Sequence, residues 1–373
     1  MSRIVLIAAE SRTLVNFRGS LMCTLRDHGH DVHALGPAPD EATRAWFEHE
    51  RIAFHPYPVG RSGLSPRQDI ATYRALRGLL AALKPDTVLT YTIKPTVYGI
   101  PAAWFSGVKN RYALITGLGY AFIERDRSLR WRLINLAARA LYATSLRMAC
   151  GVLFQNEDDL ALFRALGLVP AGKKTAVVNG SGVDINHFVP APLPGAPVFL
   201  MIARLLRDKG IGEYIQAARI IRQRHRDAQF HLVGPEDPSP AAFPLSEVEA
   251  AVADKMLTYH GPAGDVRPHI AQTRIFVLPS YREGTPRAVL EAMAMGRASI
   301  VTDVPGCRAA VIPGRNGLLV PAGDAQALAA AMETLINQPD RAASMGEEAR
   351  RMAEEIYDVR LVNQQMLEFM GVV

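Results

Sequence analysis

Two carboxylates eight positions apart are the residues of this chain best suited to chemistry. Glu283 lies in a turn-rich loop that follows an apolar run, Ile275–Leu278, and Glu291 lies in the apolar segment behind it. That segment is predicted to be a buried helix, with Thr285 as its N-cap and Pro286 at its first position. A carboxylate in an apolar helix costs free energy unless hydrogen-bond donors meet it. Glu291 therefore needs a partner.

Two kinds of partner for Glu291 follow from the residues. Arg287 precedes it by four positions, the spacing at which side chains meet on a helix. The other partner is a bound ligand that offers hydroxyl groups. The backbone N–H groups of Gly284 and Thr285, at a helix N-terminus, would suit a phosphate on the same ligand. On the residues alone, both partners stay open.

Arg204 and Lys209 form a second group, in the loop between a predicted strand, Val198–Ala203, and the helix after it. An arginine offers phosphate a forked contact, and a lysine adds a point charge. The two cations would therefore suit a diphosphate. Two solvated loop cations would give the same sequence pattern.

The elements that must position these residues alternate between strand and helix along the whole chain. At 373 residues the chain exceeds one ordinary core, so we predict two domains. Each half repeats short apolar strands followed by helical segments, which is typical of an α/β fold with parallel sheets. Four prolines between positions 190 and 197 indicate a linker.

Charge is unevenly shared between the halves. Residues 1–190 contain 23 Lys and Arg against 15 Asp and Glu, whereas the remainder contains 19 against 21. A basic first half indicates a membrane surface, a phosphorylated acceptor or nucleic acid as partner, or simply a basic surface. The predicted helix over 128–149 places three arginines on one face, which would suit an anionic membrane. The residues are Arg132, Arg139 and Arg147, with Leu133, Ala137 and Leu141 predicted opposite them.

Cysteine content and hydropathy limit the cellular setting. The three cysteines are widely spaced, which indicates a reducing compartment and no metal cluster. No apolar stretch reaches membrane-spanning length. The first residues indicate a strand rather than a signal peptide.

The loop and helix around Glu283 resemble a known signature. Glu283-Gly284-Thr285-Pro286 followed by Glu291 is similar to the E-x7-E motif of family 4 retaining glycosyltransferases. Arg204 and Lys209, in the pattern R-x4-K-G, resemble the diphosphate-binding loop of that family. The resemblance covers most of the chain and implies the GT-B architecture, with two Rossmann-like domains facing each other across a cleft.

The resemblance implies a division of labour between the domains. Residues 1–187 would bind the acceptor, residues 188–355 would bind a UDP-sugar, and a helix over about 356–373 would pack back on the first domain. In the second domain, Glu291 would accept ribose hydroxyls and Glu283 would contact the donor sugar. Arg204 and Lys209 would stabilise the departing UDP. The donor site would be completed by Gly284, Thr285, Pro286, Gly234 and Gly261.

Three stretches of the first half resemble a narrower group. They are Asn16-Phe17-Arg18, the run T-Y-T-I-K-P over 90–95 and the run I-T-G-L-G-Y-A-F over 115–122. The group assembles bacterial surface polysaccharides and lipid-linked oligosaccharides, and includes N-acetylgalactosaminyltransferases acting on undecaprenyl-diphosphate sugars. The acceptor contacts that this implies are Asn16, Arg18, Lys94, Thr116 and Gly117. Thr116 stands where many family 4 enzymes have a histidine. For Lys94, packing that only closes its own loop is an equal alternative to an acceptor contact.

The function implied is transfer of N-acetylgalactosamine or another N-acetylhexosamine from a UDP-sugar to a polyprenyl-diphosphate-linked saccharide, with retention. We expect a cytoplasmic protein at the inner membrane surface, with no nucleic-acid partner. We expect no metal or other cofactor, because no strict D-x-D motif occurs. Two alternatives stay open: a nonhydrolysing UDP-sugar epimerase of the same architecture, and a non-catalytic nucleotide-sugar- or membrane-binding module.

Overall fold

The computed structural model describes residues 1–60, 65–117 and 129–372, without the side chains at 129–131, 133 and 134. The second part of the predicted acceptor run, 118–122, and the side chain of Leu133 therefore lie outside the described residues. The chain forms two compact units: unit 1 is residues 1–181 with 363–373, and unit 2 is residues 182–362. The predicted boundaries, after residues 187 and 355, lie a few residues from these.

Unit 1 is built on a seven-stranded sheet in the order β3-β2-β1-β4-β5-β6-β7, and all neighbouring strands are parallel. The strands are β1 (Arg3–Ile7), β2 (Asp31–Gly36), β3 (Ala53–Pro56), β4 (Thr87–Tyr91), β5 (Asn110–Ile115), β6 (Gly151–Phe154) and β7 (Lys174–Val177). The helices are α1 (Ser11–Asp27), α2 (Glu41–His49), α3 (Pro66–Leu83), α4 (Ile100–Phe105), α5 (Leu129–Met148) and α6 (Glu157–Ala165). A π-helical turn, Pro95–Gly99, leads into α4.

Unit 2 repeats the plan with a six-stranded parallel sheet in the order β10-β9-β8-β11-β12-β13. Its strands are β8 (Val198–Ile202), β9 (Gln229–Val233), β10 (Thr258–Tyr259), β11 (Ile275–Leu278), β12 (Ala298–Thr302) and β13 (Gly317–Val320). Its helices are α7 (Ile211–Arg224), α8 (Leu245–Ala253), α9 (Arg267–Ala271), α10 (Arg287–Ala294), α11 (Cys307–Ala310), α12 (Ala325–Asn337) and α13 (Pro339–Glu355). Helix α14 (Val359–Met370) contains the division between the units.

The central strands form because helices cover both faces of each sheet. Strands β4, β6, β11 and β12 are buried along their whole length. Such strands are near-continuous apolar runs rather than alternating ones. The two Rossmann-like units confirm the predicted α/β class, and strand β11 has the bounds of the apolar run Ile275–Leu278.

The sequence predicts a loop over 10–18 and a helix from about Gly19. Helix α1 begins at Ser11 instead, so this prediction is wrong. The buried positions of α1 have the spacing of one helix face, but Arg18 occupies one of them among leucines and a methionine. That charged residue interrupts the apolar period from which a helix is recognised. Asn16 consequently belongs to a helix and not to a loop.

The sequence predicts Ala325–Asn337, the observed α12, as the last helix of the second domain, so helix α13 was not predicted. Its buried face consists of alanine, glycine and methionine together with Glu348, which leaves a weak apolar period. Glu348 forms ion pairs with Arg315 and Arg351. The residues Val177–Asp184 predict the last strand of the first domain with a glycine-rich turn, whereas strand β7 ends at Val177.

Helix α5 exposes a mixed face rather than the predicted arginine face with an apolar face opposite. Ala137 and Leu141 are exposed, as are Arg132 and Arg147. Polar side chains occupy part of the buried side instead, which concealed it in the sequence. Ser145 donates a hydrogen bond to the carbonyl of Thr96 at 2.9 Å, and Asn135, Tyr142 and Leu146 are buried with it.

Among the helices of the described ranges, none combines the length and the apolar character needed to span a bilayer.

Histidine pairs join neighbouring strands in each unit. Nδ1 of His231 lies 2.9 Å from Nε2 of His260, and the same atoms of His33 and His55 are also 2.9 Å apart. His33 further contacts Asp31. Burial lowers the pKa of His55, His231 and His260 from the ordinary 6.5. The second cause is a nearby histidine, which is His33 for His55, His260 for His231 and His269 for His260. The unfolded chain therefore binds protons more tightly, so the stability from these groups is present above pH 6.5 and is lost below it.

When the pH is lowered from about 7.5 to about 5.5, we expect the melting temperature of the wild type to fall by a few degrees more than that of a His55→Gln, His260→Gln double variant. Thermal unfolding across that range measures the difference. The exposed His49, replaced by glutamine, is the control and should follow the wild type. Equal losses in all three proteins would contradict the assignment to the histidine pairs.

Candidate active site

The loops after β8 and β11 meet at the carboxyl edge of the sheet in unit 2. These strands are neighbours, and the chain continues from β8 toward one side of the sheet and from β11 toward the other. Open α/β sheets bind ligands at such a switch point. The β8 loop carries Arg204 and Lys209, and the β11 loop carries Glu283. The N–H of Tyr281 donates to the carbonyl of Asp208 at 2.8 Å, which joins the two loops.

Gly210 allows this close approach of the loops. Its φ is 77°, in the left-handed region, and a Cβ built on it would lie 2.1 Å from the carbonyl oxygen of Pro279. Any other residue would push the loops apart. The glycine that ends the R-x4-K-G pattern is thus required by the backbone.

Lys209 and Glu283, predicted in separate groups, form one ion pair. Lys209 Nζ lies 2.6 Å from Glu283 Oε1, and the side chains are only 19% and 14% exposed. The N–H of Glu283 donates to the carbonyl of Pro305 at 3.2 Å, which holds the loop in place. A ligand with phosphate and hydroxyl groups would find a cation and a carboxylate side by side here.

Arg204 is held by Asp237, which the sequence analysis did not identify. Arg204 Nη1 lies 2.7 Å from Asp237 Oδ2, and the Asp237 side chain is 6% exposed. Asp237 lies in a polar, proline-rich stretch after β9, where nothing in the sequence marks it as buried. The signal that could have found Asp237 is its position after β9, a third strand that ends at the same edge of the sheet.

Glu291 lies in the buried body of α10, and Arg287 is its partner. Arg287 Nε lies 2.8 Å from Glu291 Oε1 at the spacing of one helical turn. Burial raises the pKa of Glu291, and Arg287 opposes that shift. The ion pair predicted on spacing alone is therefore present, and the predicted ligand contact stays a prediction.

The start of α10 corrects one prediction. Pro286 is the N-cap, and the helix begins at Arg287, so Thr285 is not the N-cap. Pro286 has an extended ψ of 109°, which keeps it and the residues before it in the β11 loop. Gly284 and Thr285 therefore lie in the loop between Glu283 and the helix.

Gly234 and Gly261, the remaining predicted donor-site residues, are brought together at the ends of β9 and β10. The N–H of Gly234 donates to the carbonyl of Gly261 at 2.8 Å. A Cβ on Gly234 would lie 1.8 Å from the carbonyl oxygen of Ala203, so the β8 and β9 loops touch there. Nothing lies within 4 Å of the Cβ position of Gly261.

The arrangement offers paired charges. Cations from the β8 loop lie against carboxylates from the β9 and β11 loops, and a further ion pair lies in α10. Across residues 1–60, 65–117 and 129–372, no three His, Cys, Asp or Glu side chains are grouped to hold a metal ion. Hydroxyl groups would find carboxylate acceptors, and phosphate would find ammonium and guanidinium donors.

Lys94, a predicted acceptor contact, follows β4 at the switch point between β1 and β4 in unit 1. Its Nζ lies 3.1 Å from Oδ1 of Asp69, and both side chains are largely buried. Burial, with Asp69 nearby, raises the pKa of Tyr98 to about 12. Thr92, two residues earlier, has a φ of 67°, which is rare for a β-branched residue and costs strain energy. Such strain is concentrated at functional sites.

Arg18, another predicted acceptor contact, is 1% exposed. Its guanidinium lies 5.8 Å from the ring centre of Tyr91 and 4.0 Å from the sulfur of Met366. It therefore packs between α1, β4 and α14 inside unit 1. Thr116 and Gly117 follow β5 directly, at the same sheet edge as Lys94. The acceptor roles of all these residues stay predictions.

Lys94→Ala is expected to destabilise the protein by about 3 kcal/mol, because Asp69 would be left buried without its cation. Asp69→Asn should cost a similar amount, and the double variant should cost less than the two together. Denaturant unfolding measures these free energies. Additive losses would show that the two side chains do not depend on each other.

Comparisons with known proteins identify the family of the chain. Residues 15–180 match the family described as glycosyl transferase 4-like domain, and residues 196–338 match the family described as glycosyl transferases group 1. The chain is 27% identical over 98% of its length to the N,N'-diacetylbacillosaminyl-diphospho-undecaprenol alpha-1,3-N-acetylgalactosaminyltransferase of Campylobacter jejuni, and covers 97% of that protein. It is 25% identical over 98% of its length to the capsular polysaccharide biosynthesis glycosyltransferase CapM of Staphylococcus aureus, of which it covers 95%.

Solved structures share the fold of the whole chain. Sucrose-phosphate synthase from Thermosynechococcus elongatus has a TM-score of 0.80 at 21% identity, with 100% of this chain and 98% of that chain covered. Anabaena HepE in complex with UDP and glucose has a TM-score of 0.81 at 18% identity, with both chains fully covered. The two Rossmann-like units and the two family matches together show a glycosyltransferase with the GT-B architecture. The chain is a glycosyltransferase of the family 4 type.

Proposed function

We propose that this chain is a retaining glycosyltransferase that moves an N-acetylhexosamine, N-acetylgalactosamine being our first choice, from a UDP-sugar to a polyprenyl-diphosphate-linked saccharide. The observation that carries the proposal is the Lys209–Glu283 pair at the switch point of unit 2. It presents a phosphate-binding cation and a hydroxyl-binding carboxylate within one hydrogen bond of each other. The name of the Campylobacter jejuni relative supports the choice of sugar and acceptor, and that of CapM supports polysaccharide assembly.

In this proposal, each charged residue of the candidate site in unit 2 binds or positions one part of the donor. Glu291 accepts hydrogen bonds from the ribose hydroxyls, and Glu283 accepts one from the sugar ring. Arg204 and Lys209 bind the diphosphate and stabilise the negative charge that grows on the departing UDP. Asp237 positions the Arg204 guanidinium, since it holds one of its nitrogens at 2.7 Å.

Retention follows if the acceptor attacks from the face that UDP leaves. The acceptor oxygen forms the new bond to the anomeric carbon while the bond from that carbon to the UDP oxygen breaks. The hydroxyl proton passes to an oxygen of the β-phosphate, so no carboxylate nucleophile is needed. In this scheme the cations at the phosphate are the main source of transition-state stabilisation.

Transfer is expected to continue in the presence of a chelator, because Arg204 and Lys209 supply the positive charge that a metal would otherwise supply. UDP release measured with and without EDTA should differ less than about twofold. Activity that is lost with EDTA and restored by Mg²⁺ would contradict this expectation.

A UDP-release screen tests the proposed function. UDP-GalNAc, UDP-GlcNAc, UDP-Gal and UDP-Glc are each mixed with undecaprenyl-diphosphate-linked saccharides. We expect release with an N-acetylhexosamine donor only when an acceptor is present, and an α-linked product. Formation of the epimer from a UDP-sugar alone would identify an epimerase instead. Binding of UDP without release in any mixture would indicate a non-catalytic module.

A further inference from the structure

One layer of helices in unit 1 has a strongly basic composition. Helix α4 packs between α3 and α5. Together these three helices contain seven arginines and a single acidic residue, Asp69. Asp69 is buried and is already paired with Lys94. The outer face of the layer therefore carries cations without acidic neighbours from its own helices.

The same three helices expose large apolar side chains, each between 40% and 65% exposed. They are Ile70 of α3, Trp104 and Phe105 of α4, and Leu136 and Leu141 of α5. The exposed arginines among them are Arg67, Arg74, Arg77, Arg132 and Arg147. Soluble surfaces seldom combine apolar groups in this number with charge of one sign, so the face is suited to a partner.

Trp104 and Phe105 are the most prominent part of this face. They are adjacent at the end of α4, and the guanidinium of Arg111 lies 4.7 Å from the ring centre of Trp104. The Arg111 Nε donates to the carbonyl of Met148 at 2.9 Å, which links this corner to the end of α5. Amphipathic aromatic rings beside cations are the side chains that settle at the headgroup level of a bilayer.

We infer that the face formed by α3, α4 and α5 docks on an anionic lipid bilayer. Charge complementarity decides the partner, since the arginines would attract acidic headgroups while the aromatic and leucine side chains enter the interface. This replaces the single basic helix predicted from the sequence with a surface of three helices. The α5 helix contributes only part of it.

The docking face also bears on the acceptor. The π-helical turn that follows Lys94 packs against all three helices, at the carboxyl edge of the sheet. Lys94 and the docking face therefore belong to one helix layer, with Lys94 at the carboxyl edge of the sheet and Trp104 and Phe105 toward its amino edge. The inference rests on the proposed function in this respect alone. The docking itself needs no sugar donor.

Vesicle sedimentation tests the inference on the full chain. We expect binding to vesicles of phosphatidylcholine with about a third phosphatidylglycerol, weaker binding at high salt, and little binding to phosphatidylcholine alone. Arg74→Gln with Arg77→Gln should weaken the anionic binding by at least about tenfold. Trp104→Ser with Phe105→Ser should do the same. The matched control is Arg341→Gln with Val252→Ser, both exposed in unit 2.

Several outcomes would overturn the inference: equal binding to neutral and anionic vesicles, unchanged binding by both face variants, or an equal loss in the control. Unchanged melting temperatures show that the variants are folded. If the lipid-free wild type is a dimer that the Trp104, Phe105 variant dissociates, a second copy covers the face and the inference falls. Vesicle binding without UDP release from any donor would refute only the proposed function.

Discussion

Replacing Lys209 by alanine is expected to slow sugar transfer by about a hundredfold or more. The ammonium group is the cation that the proposed reaction places at the departing phosphate. Its loss removes a charge-stabilising donor from a site that is mostly shielded from water, where such donors have their largest effect. The loss also leaves Glu283, 14% exposed, without its partner at 2.6 Å.

Steady-state UDP release with the donor and acceptor found in the screen measures the effect on kcat and KM. The control is Arg207→Ala, an exposed cation of the same turn whose guanidinium lies 4.0 Å from Glu247. It should retain a rate close to the wild type. Arg204→Ala should be slowed on a similar scale to Lys209→Ala. Near wild-type rates in both variants would exclude a phosphate-binding role for this loop.

A structural role for Lys209 predicts a different pattern. If the lysine served only to hold Glu283, then Lys209→Ala, Glu283→Gln and the double variant would lose the same amount of rate. If each group contacts the donor, the double variant should be slower than either single one. Lys209→Arg keeps the charge and changes its geometry, so a partial loss of kcat is expected there.

The positions of the candidate residues could be predicted because sheet topology places them. The apolar runs of β8 and β11 identify buried parallel strands, and their loops must then meet at the carboxyl edge. The prediction itself joined Arg204, Lys209 and Glu283 in one site through the family resemblance, and the topology supplies the physical reason. The Arg287–Glu291 pair also followed from spacing, because both residues lie on one helix.

The partners that come from other elements could not be predicted. Asp237 and Asp69 are 33 and 25 positions from the cations they hold, and only tertiary packing brings them there. Their neighbours in the sequence are polar or part of an ordinary helix, so no periodic signal marks them. Arg18 shows the opposite difficulty, because a charge at a core position concealed the first half of α1.

Glu291→Gln is expected to raise the KM for the donor by at least about tenfold. It should also remove the acidic limb from the pH profile of kcat/KM for the donor. In the proposed site the ionised carboxylate accepts hydrogen bonds from the ribose hydroxyls. Glutamine has nearly the same shape but only one acceptor oxygen and no charge. Losing a charge-assisted hydrogen bond costs about 1.5–3 kcal/mol, which corresponds to about tenfold or more in affinity.

The raised pKa of Glu291 has opposite consequences for folding and for binding. Burial raises the value above the ordinary 4.5, with Arg287 acting against it. The stability that this group contributes is therefore present below the ordinary value and is lost as pH rises through the raised one. Donor binding needs the ionised form, so donor affinity should fall as pH drops through the same raised value.

Arg287→Gln separates the two roles left open for that arginine. Removing the guanidinium 2.8 Å from Glu291 should raise the carboxyl pKa further and move the acidic limb of kcat/KM for the donor to higher pH. Arg287→Lys keeps a positive charge and should return the acidic limb most of the way to its wild-type pH. The control is Glu354→Gln, at the same helical spacing from Arg350 at 2.6 Å, which should leave the profile unchanged. If the acidic limb of kcat/KM stays at the same pH in Arg287→Gln while the KM for the donor rises, Arg287 contacts the ligand. If the acidic limb is still present in Glu291→Gln, it belongs to a group other than Glu291.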